Sequence, residues 1–201
     1  MQVERLCSPT GEPVLGPLLI TPRRFDDQRG FFYESWNQRH FVEALAVDGQ
    51  PAPDAFVQDN QSRSSQGVLR GLHYQLPPHP QGKLVRCVVG EIVDVAVDLR
   101  RSSATFGQWV GARLSAANHQ QLWVPVGFAH GFLTLSPQAD VLYKTTEFWS
   151  RTSERSLRWD DPALAIAWPP QPVEGGQPLL ADKDACAPFL AELEAADALF
   201  P

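Results

Sequence analysis

Cysteine is scarce in this chain and irregularly placed. Cys7, Cys87 and Cys186 are odd in number and far apart, so they build neither a disulfide framework nor the paired spacing of a zinc site, and a reducing compartment is expected. Positive charge is short as well. The 17 Lys and Arg stand against 23 Asp and Glu, for a net charge of -6, which excludes a protein that grips nucleic acid through a broad basic field. Long apolar runs are missing: none approaches the ~18 residues that span a bilayer. Nor does the stretch Met1 to Ile20, interrupted by Pro9, Gly11, Pro13, Gly16 and Pro17, assemble the apolar h-region of a signal peptide. A soluble cytoplasmic protein with neither a membrane nor a nucleic-acid partner is the expectation.

What the chain does have is a hydrophobic content of 43% in 201 residues, enough for one substantial core. One domain over 1–201 is expected, with 1–16 and 169–201 as peripheral extensions. Most of the middle alternates with period two between Gly, Pro, Asn and Ser, the pattern of half-buried antiparallel strands. In Glu91 to Arg100, the residues Val93, Val95, Val97 and Leu99 share a face that meets a core, and Ile92, Asp94, Ala96 and Asp98 share a face that carries carboxylates. Further strands are expected at 31–34, 56–60, 68–75, 108–114, 121–124, 129–135 and 141–147. Two peripheral helices are expected, one at about 38–46 with Asn37 as N-cap and one at about 188–199. The proline-rich stretch 169–178 reads as a surface loop. Short strands without long helices between them predict an all-β jelly-roll sandwich or barrel with a few short peripheral helices.

Chemistry concentrates in Arg70-Gly71-Leu72-His73-Tyr74-Gln75 and, shortly after it, Lys83 in Gln81-Gly82-Lys83-Leu84-Val85-Arg86. A neutral imidazole is a base poised near pH 7, an ammonium stabilises an enolate, and an Arg holds an anionic handle. That set suits removal of a proton beside a carbonyl.

Pro125-Val126-Gly127-Phe128-Ala129-His130-Gly131 matches the P-x-G-x-x-H element of the cupin superfamily of small jelly rolls. Metal-binding cupins pair that His with an H-x-H and a Glu. Here His73-Tyr74-Gln75 stands at the H-x-H position, so a metal site of the usual kind cannot be assembled and none is expected. His79, in Pro77-Pro78-His79-Pro80, reads as an exposed loop residue. Together with 27–35, 57–62, 68–75, 81–86 and 106–109, this element resembles the dTDP-4-dehydrorhamnose 3,5-epimerase family. The resemblance runs from about Pro17 to Leu190 with the motifs in family order.

The resemblance implies a catalyst without cofactor that inverts two centres flanking the C4 ketone of a dTDP-linked 4-keto-6-deoxyhexose. By motif position it implies His73 as base, Tyr143 in Val141-Leu142-Tyr143-Lys144 as acid on the opposite face, Lys83 near the carbonyl oxygen and Asp184 as partner of His73. Asp182 is a nearby alternative partner, and an N-cap is an alternative task for Asp184. Arg29, Glu34, Gln58, Asn60, Arg70, His130 and Trp149 match substrate-binding positions, with Phe148 and Trp149 standing where the family commonly has tyrosines. It further implies a homodimer with exchanged N-terminal strands, the contact supplied by 17–34. Three other readings compete: an epimerase of one centre only, a metal-dependent cupin oxygenase using His73, His79 and His130, and a catalytically silent sugar-binding cupin.

Overall fold

The structure is a computed structural model that describes residues 1–170 and 176–201. In chain order the strands are β1 (Gln2–Cys7), β2 (Pro13–Thr21), β3 (Arg24–Asp27), β4 (Gly30–Tyr33), β5 (Gln58–Ser65), β6 (Leu69–Gln75), β7 (Lys83–Val89), β8 (Glu91–Asp98), β9 (Trp109–Ser115), β10 (Gln121–Val124), β11 (Phe128–Thr134), β12 (Gln138–Thr145) and β13 (Glu154–Ser156). Helix α1 (Gln38–Val47) follows β4, and α2 (Asp182–Ala185) and α3 (Leu190–Ala195) follow β13. Strands in the order β1-β2-β10-β7-β12-β5 form one sheet and β13-β6-β11-β8-β9 another, while β3 and β4 form a separate hairpin. The two large sheets face each other as a cupin-type jelly roll. No helix of the described residues is long and apolar enough to cross a membrane.

The layering follows from strand alternation. Between the sheets lies a core that takes Val85, Leu122 and Val141 from the six-stranded sheet and Ile92, Ala96, Phe128 and Phe132 from the five-stranded one. A second layer covers the outside of the five-stranded sheet, where Leu72, Val95, Val97 and Leu99 meet Leu190, Leu193 and Phe200 of the C-terminal segment. The third covers the outside of the six-stranded sheet, where Leu18, Leu84 and Trp123 meet Phe41 and Leu45 of α1. Burying one such Leu contributes about 1.5–3 kcal/mol, so both outer layers hold the sheets as well as shield them.

This arrangement corrects the reading of β8. Its carboxylate face is not solvated: Asp94 and Asp98 are both fully buried, because one face of the strand lines the interior and the other lies under the C-terminal segment. Asp98 is held there by Arg100, Ser103 and Thr105.

Helix α1 begins at Asn37, whose side chain accepts from the N–H groups of Arg39 and His40. The last helix is shorter than its pattern predicts. It ends at Ala195 because Asp197 takes φ 54°, and the chain then turns so that Phe200 bridges to Arg100 and Tyr74 Oη donates to the Ala198 carbonyl at 2.6 Å. Strand β5 starts at Gln58, not Phe56, whose ring joins Trp36, Phe41 and Trp123 outside the sheet. The N-terminal 16 residues supply β1 and the start of β2. Of the expected loop 169–178, residues 171–175 lie outside the described residues.

The β3–β4 hairpin presents Phe25, Phe31 and Phe32, each more than half exposed. It is pegged to the body by His119, whose ring lies 4.8 Å from that of Phe31 and 4.9 Å from that of Tyr33. Arg24 Nη1 donates to His119 Nε2 at 2.8 Å.

Candidate active site

The mouth of the sandwich holds a cavity of about 530 Å³ whose lining includes His73, Lys83, His130, Tyr143, Glu154 and Asp184. That volume suits a small organic ligand. A contiguous recess adds Gln58, Asn60 and Gln75 and shares His73, Lys83, Tyr143, Trp149 and Glu154. Strand parity explains the convergence. His73 alternates with the outward-buried Leu72 and Tyr74 on β6, Lys83 shares the inner face of β7 with Val85, and Tyr143 shares that of β12 with Val141. His73 and His130 are direct cross-strand partners, as are Tyr143 and Asn60. His73 and His130 therefore belong to one sheet, and Lys83, Tyr143, Gln58 and Asn60 to the other.

Two glycines allow β6 and β11 to approach. A Cβ on Gly71 would fall 2.6 Å from Gly131 Cα, and one on Gly131 would fall 2.7 Å from the Arg70 carbonyl. At Gly71 φ is 130°, a conformation side chains disfavour.

Asp184 reaches His73 across 111 residues of sequence. Leu179 pairs with Val68 in a parallel bridge beside β6, and the single turn of α2 then folds Asp184 inward. Its Oδ1 lies 2.6 Å from His73 Nε2, and its Oδ2 accepts from the Gly71 N–H at 3.4 Å. The carboxylate is 2% exposed. Asp182 is exposed, and the N-cap of α3 is Phe189, so neither alternative describes Asp184.

Burial pushes the His73 imidazole below its ordinary pKa; Asp184 pulls upward and Lys83 pushes further down. Near neutral pH the ring is thus an unprotonated base whose Nε2 is committed to Asp184, leaving Nδ1 to accept a proton. Lys83 donates to the His73 carbonyl at 3.1 Å. Burial lowers its ammonium to about 8, against the pull of Asp94 and Glu154, so it still carries a positive charge at pH 7. Burial raises the Tyr143 phenol above its ordinary value, with Arg70 opposing, which keeps it a proton donor.

His130 lines the same cavity and bonds through Nε2 to Asp94 Oδ1 at 2.7 Å. Arg70 is anchored by Ser64 and the Arg63 carbonyl at the cavity edge. Gln58 donates to Asn60 and accepts from the Trp149 N–H. Trp149 is 55% exposed at the rim.

Arg29 and Glu34 do not join them. The Arg29 side chain is 89% exposed at the hairpin tip and pairs with Asp27. Glu34 lines a different cavity, of about 310 Å³, between the hairpin and α1. There it bonds to His40 and Asn37. Both placements have one cause: β3 and β4 pair only with each other, apart from the two large sheets. His79 is not at the cavity either; it stands 3.9 Å from Glu147, which separates it from His73 and His130. Among the described residues no three His, Cys, Asp or Glu side chains are grouped as a cation would need.

Reasoning from sequence passed over Glu154, Lys183 and Asp94. Lys183 lies beside Asp184 in sequence and pairs with Glu154 at 3.3 Å inside the cavity lining; Glu154 has no motif around it that marks it. The reading of β8 as half-solvated hid Asp94.

A family model described as dTDP-4-dehydrorhamnose 3,5-epimerase matches residues 12–192. The chain is 59% identical over 167 residues to the dTDP-4-dehydrorhamnose 3,5-epimerase of Pseudomonas aeruginosa, covering 83% of this chain and 87% of that one. Among solved structures it is similar to the dTDP-6-deoxy-D-glucose-3,5-epimerase of Legionella pneumophila in complex with dTDP-4-keto-L-rhamnose. The identity is 46% and the TM-score 0.85, with 99% of this chain and 98% of that chain covered. It is also similar to a 3'-monoepimerase from Streptomyces bikiniensis in complex with dTDP-quinovose, at 33% identity and a TM-score of 0.80, covering 92% and 88% of the two chains.

Proposed function

The chain belongs to the dTDP-4-dehydrorhamnose 3,5-epimerase family, and from that premise we propose that it converts dTDP-4-dehydro-6-deoxy-D-glucose to dTDP-4-dehydro-L-rhamnose, a step of dTDP-L-rhamnose biosynthesis. The observation that carries this reading is that His73 and Tyr143 stand on facing sheets and line one cavity. Inversion needs a proton removed from one face of a carbon and another delivered to the opposite face.

His73 Nδ1 takes the proton from C3 or C5, the electron pair moves into the C4 carbonyl, and the enolate oxygen meets the Lys83 ammonium. Such a preorganised charge acts more on the enolate than on the ketone. Tyr143 then protonates the carbon from the other side. Each inversion leaves His73 protonated and Tyr143 as phenolate, and proton exchange with solvent restores both before the second centre reacts. The ketone is its own electron sink, so the residues present suffice for the proposed steps.

Arg70, Gln58 and Asn60 hold the diphosphate and sugar, and Trp149 offers a ring face to the base. Arg29 and Glu34 enter this reading through a homodimer in which the β3–β4 hairpin of one protomer reaches its partner's cavity. Its support is the hairpin's three exposed Phe rings and the unburied Arg29 guanidinium. Three free cysteines go with a cytoplasmic location.

The test is incubation with dTDP-4-keto-6-deoxyglucose in deuterated water, read by proton NMR. Deuterium at both C3 and C5 is expected. Likeness to a 3'-monoepimerase gives the second reading, and label at one carbon alone would select it. Label at neither would end both.

A further inference from the structure

Gln75 closes the triplet His73-Tyr74-Gln75, and the proposed steps do not use it. It ends β6 on the same face as His73 and is 3% exposed. Its carboxamide is spent on backbone. Nε2 donates to the His79 carbonyl at 2.6 Å and to the Phe148 carbonyl at 3.2 Å, and Oε1 accepts from the Ser150 N–H at 2.8 Å. Both N–H groups and the oxygen are thus engaged, and two of the bonds close on the residues either side of Trp149.

Two more glutamines act on the same segment. Gln58 Oε1, on β5, accepts from the Trp149 N–H at 3.1 Å. Gln81 Nε2, just ahead of β7, donates to the Glu147 carbonyl at 2.7 Å, which Thr145 Oγ1 also reaches. Residues 147–150 belong to no strand: β12 ends at Thr145 and β13 begins at Glu154. The carbonyls of Glu147 and Phe148 and the N–H groups of Trp149 and Ser150, which a sheet would otherwise satisfy, are met by side chains from three places around one recess. Gln58, Gln75, Gln81 and Trp149 all line that recess. At 55% exposure the Trp149 indole is not wedged into a core, so the backbone beneath it sets its direction.

Resting on the proposed function, in which Trp149 offers its ring to the base, we propose that Gln75 is a positioning residue for the nucleotide. By clamping both flanks of Trp149 it sets the indole at the recess, and the base meets a ring already in place. A ring positioned in advance saves the ordering that a loose rim would require on binding. That gain is shared by ground state and transition state, so it belongs to KM and not to kcat.

The experiment is calorimetric titration with dTDP, alongside kcat and KM, over a cycle of Gln75→Met and Trp149→Ala. Met keeps the reach of the side chain and removes all three bonds. Each single variant is expected to raise the Kd for dTDP roughly tenfold, the scale of one base–aromatic stack, and to raise KM with kcat nearly unchanged. Added to Trp149→Ala, Gln75→Met is expected to raise Kd no further. Gln66→Met is the control, since it removes a carboxamide bond to the Leu135 carbonyl outside the cavity lining; it is expected to leave Kd in place.

Amide exchange reads the clamp without nucleotide: the Trp149 and Ser150 N–H groups are expected to exchange faster in Gln75→Met. Where Gln75→Met does not fold, Gln81→Met carries the test, with a smaller rise in Kd that vanishes in the Trp149→Ala background. A wild-type protein that binds no dTDP would end the nucleotide reading of the cavity and this proposal with it. Wild-type binding that Gln75→Met leaves unchanged, a loss additive with that of Trp149→Ala, or a fall in kcat at unchanged Kd would overturn the proposal alone.

Discussion

At the scale of single residues, the site separates a base and an acid through one physical term, desolvation, acting on groups of opposite charge type. Burial disfavours the charged imidazolium of His73 and the charged phenolate of Tyr143 alike, so both rest neutral, one able to accept and the other to donate. Because His73 sits below its ordinary value of 6.5, the acid limb of kcat/KM is expected below that pH. Asp184 pulls the His73 pKa up, so Asp184→Asn should move the limb further down while lowering kcat; a pH–rate profile reads both. Tyr143→Phe keeps the ring and removes the proton donor. A loss of roughly 10²–10⁴ in turnover is expected, with wash-in of deuterium from His73 at unconverted substrate as the NMR signature of abstraction without inversion. Lys83, His73 and Tyr143 were legible in the sequence through motif and resemblance. The contact of His73 with Asp184 was not legible from spacing, since 111 residues separate them, and Asp94 was hidden because alternation tells that two faces differ without telling whether one of them is wet.

At the scale of elements, function depends on how closely β6 and β11 lie. Gly71 and Gly131 let the backbones touch, and the register there sets His73 opposite His130. Gly131→Ala would force a methyl against the Arg70 carbonyl and Leu72, an overpacking expected to cost about 1–3 kcal/mol in urea unfolding. Turnover should fall with it as the two histidines part, while Gly49→Ala, which meets nothing within 4 Å, should leave turnover unchanged. Strong alternation made β8 readable, and the Asn37 cap made α1 readable. Strand β5 begins two residues later and ends five residues later than the expected 56–60 because Gln58 to Ser65 is polar throughout: it is an edge strand paired only with β12, and hydrophobicity marks only what is buried. Phe56 looked like the start of that strand, although its ring belongs to the aromatic cluster beside α1.

At the scale of the whole molecule, the hairpin and the cavity pose a complementation test. If each cavity is completed by the partner's hairpin, Arg29→Ala and His73→Ala homodimers are both impaired for different reasons. A mixed dimer then contains one cavity with an intact His73 served by an intact Arg29. Co-refolding the two variants is expected to restore activity toward a quarter of the wild-type value, given that about half the dimers are mixed and each holds one whole site; no recovery would place Arg29 outside the partner's cavity. By itself, the sequence determined the all-β class, the two-sheet alternation, the N-cap of α1 and the family chemistry, because these follow from local periodicity and short motifs. Only the tertiary structure decided between Asp184, which the resemblance implied, and Asp182 as the partner of His73, and decided that Asp94 is dry and that Arg29 and Glu34 leave the cavity of their own chain. Each of those depends on which distant strands the closed sandwich sets face to face, a long-range outcome that no local pattern encodes.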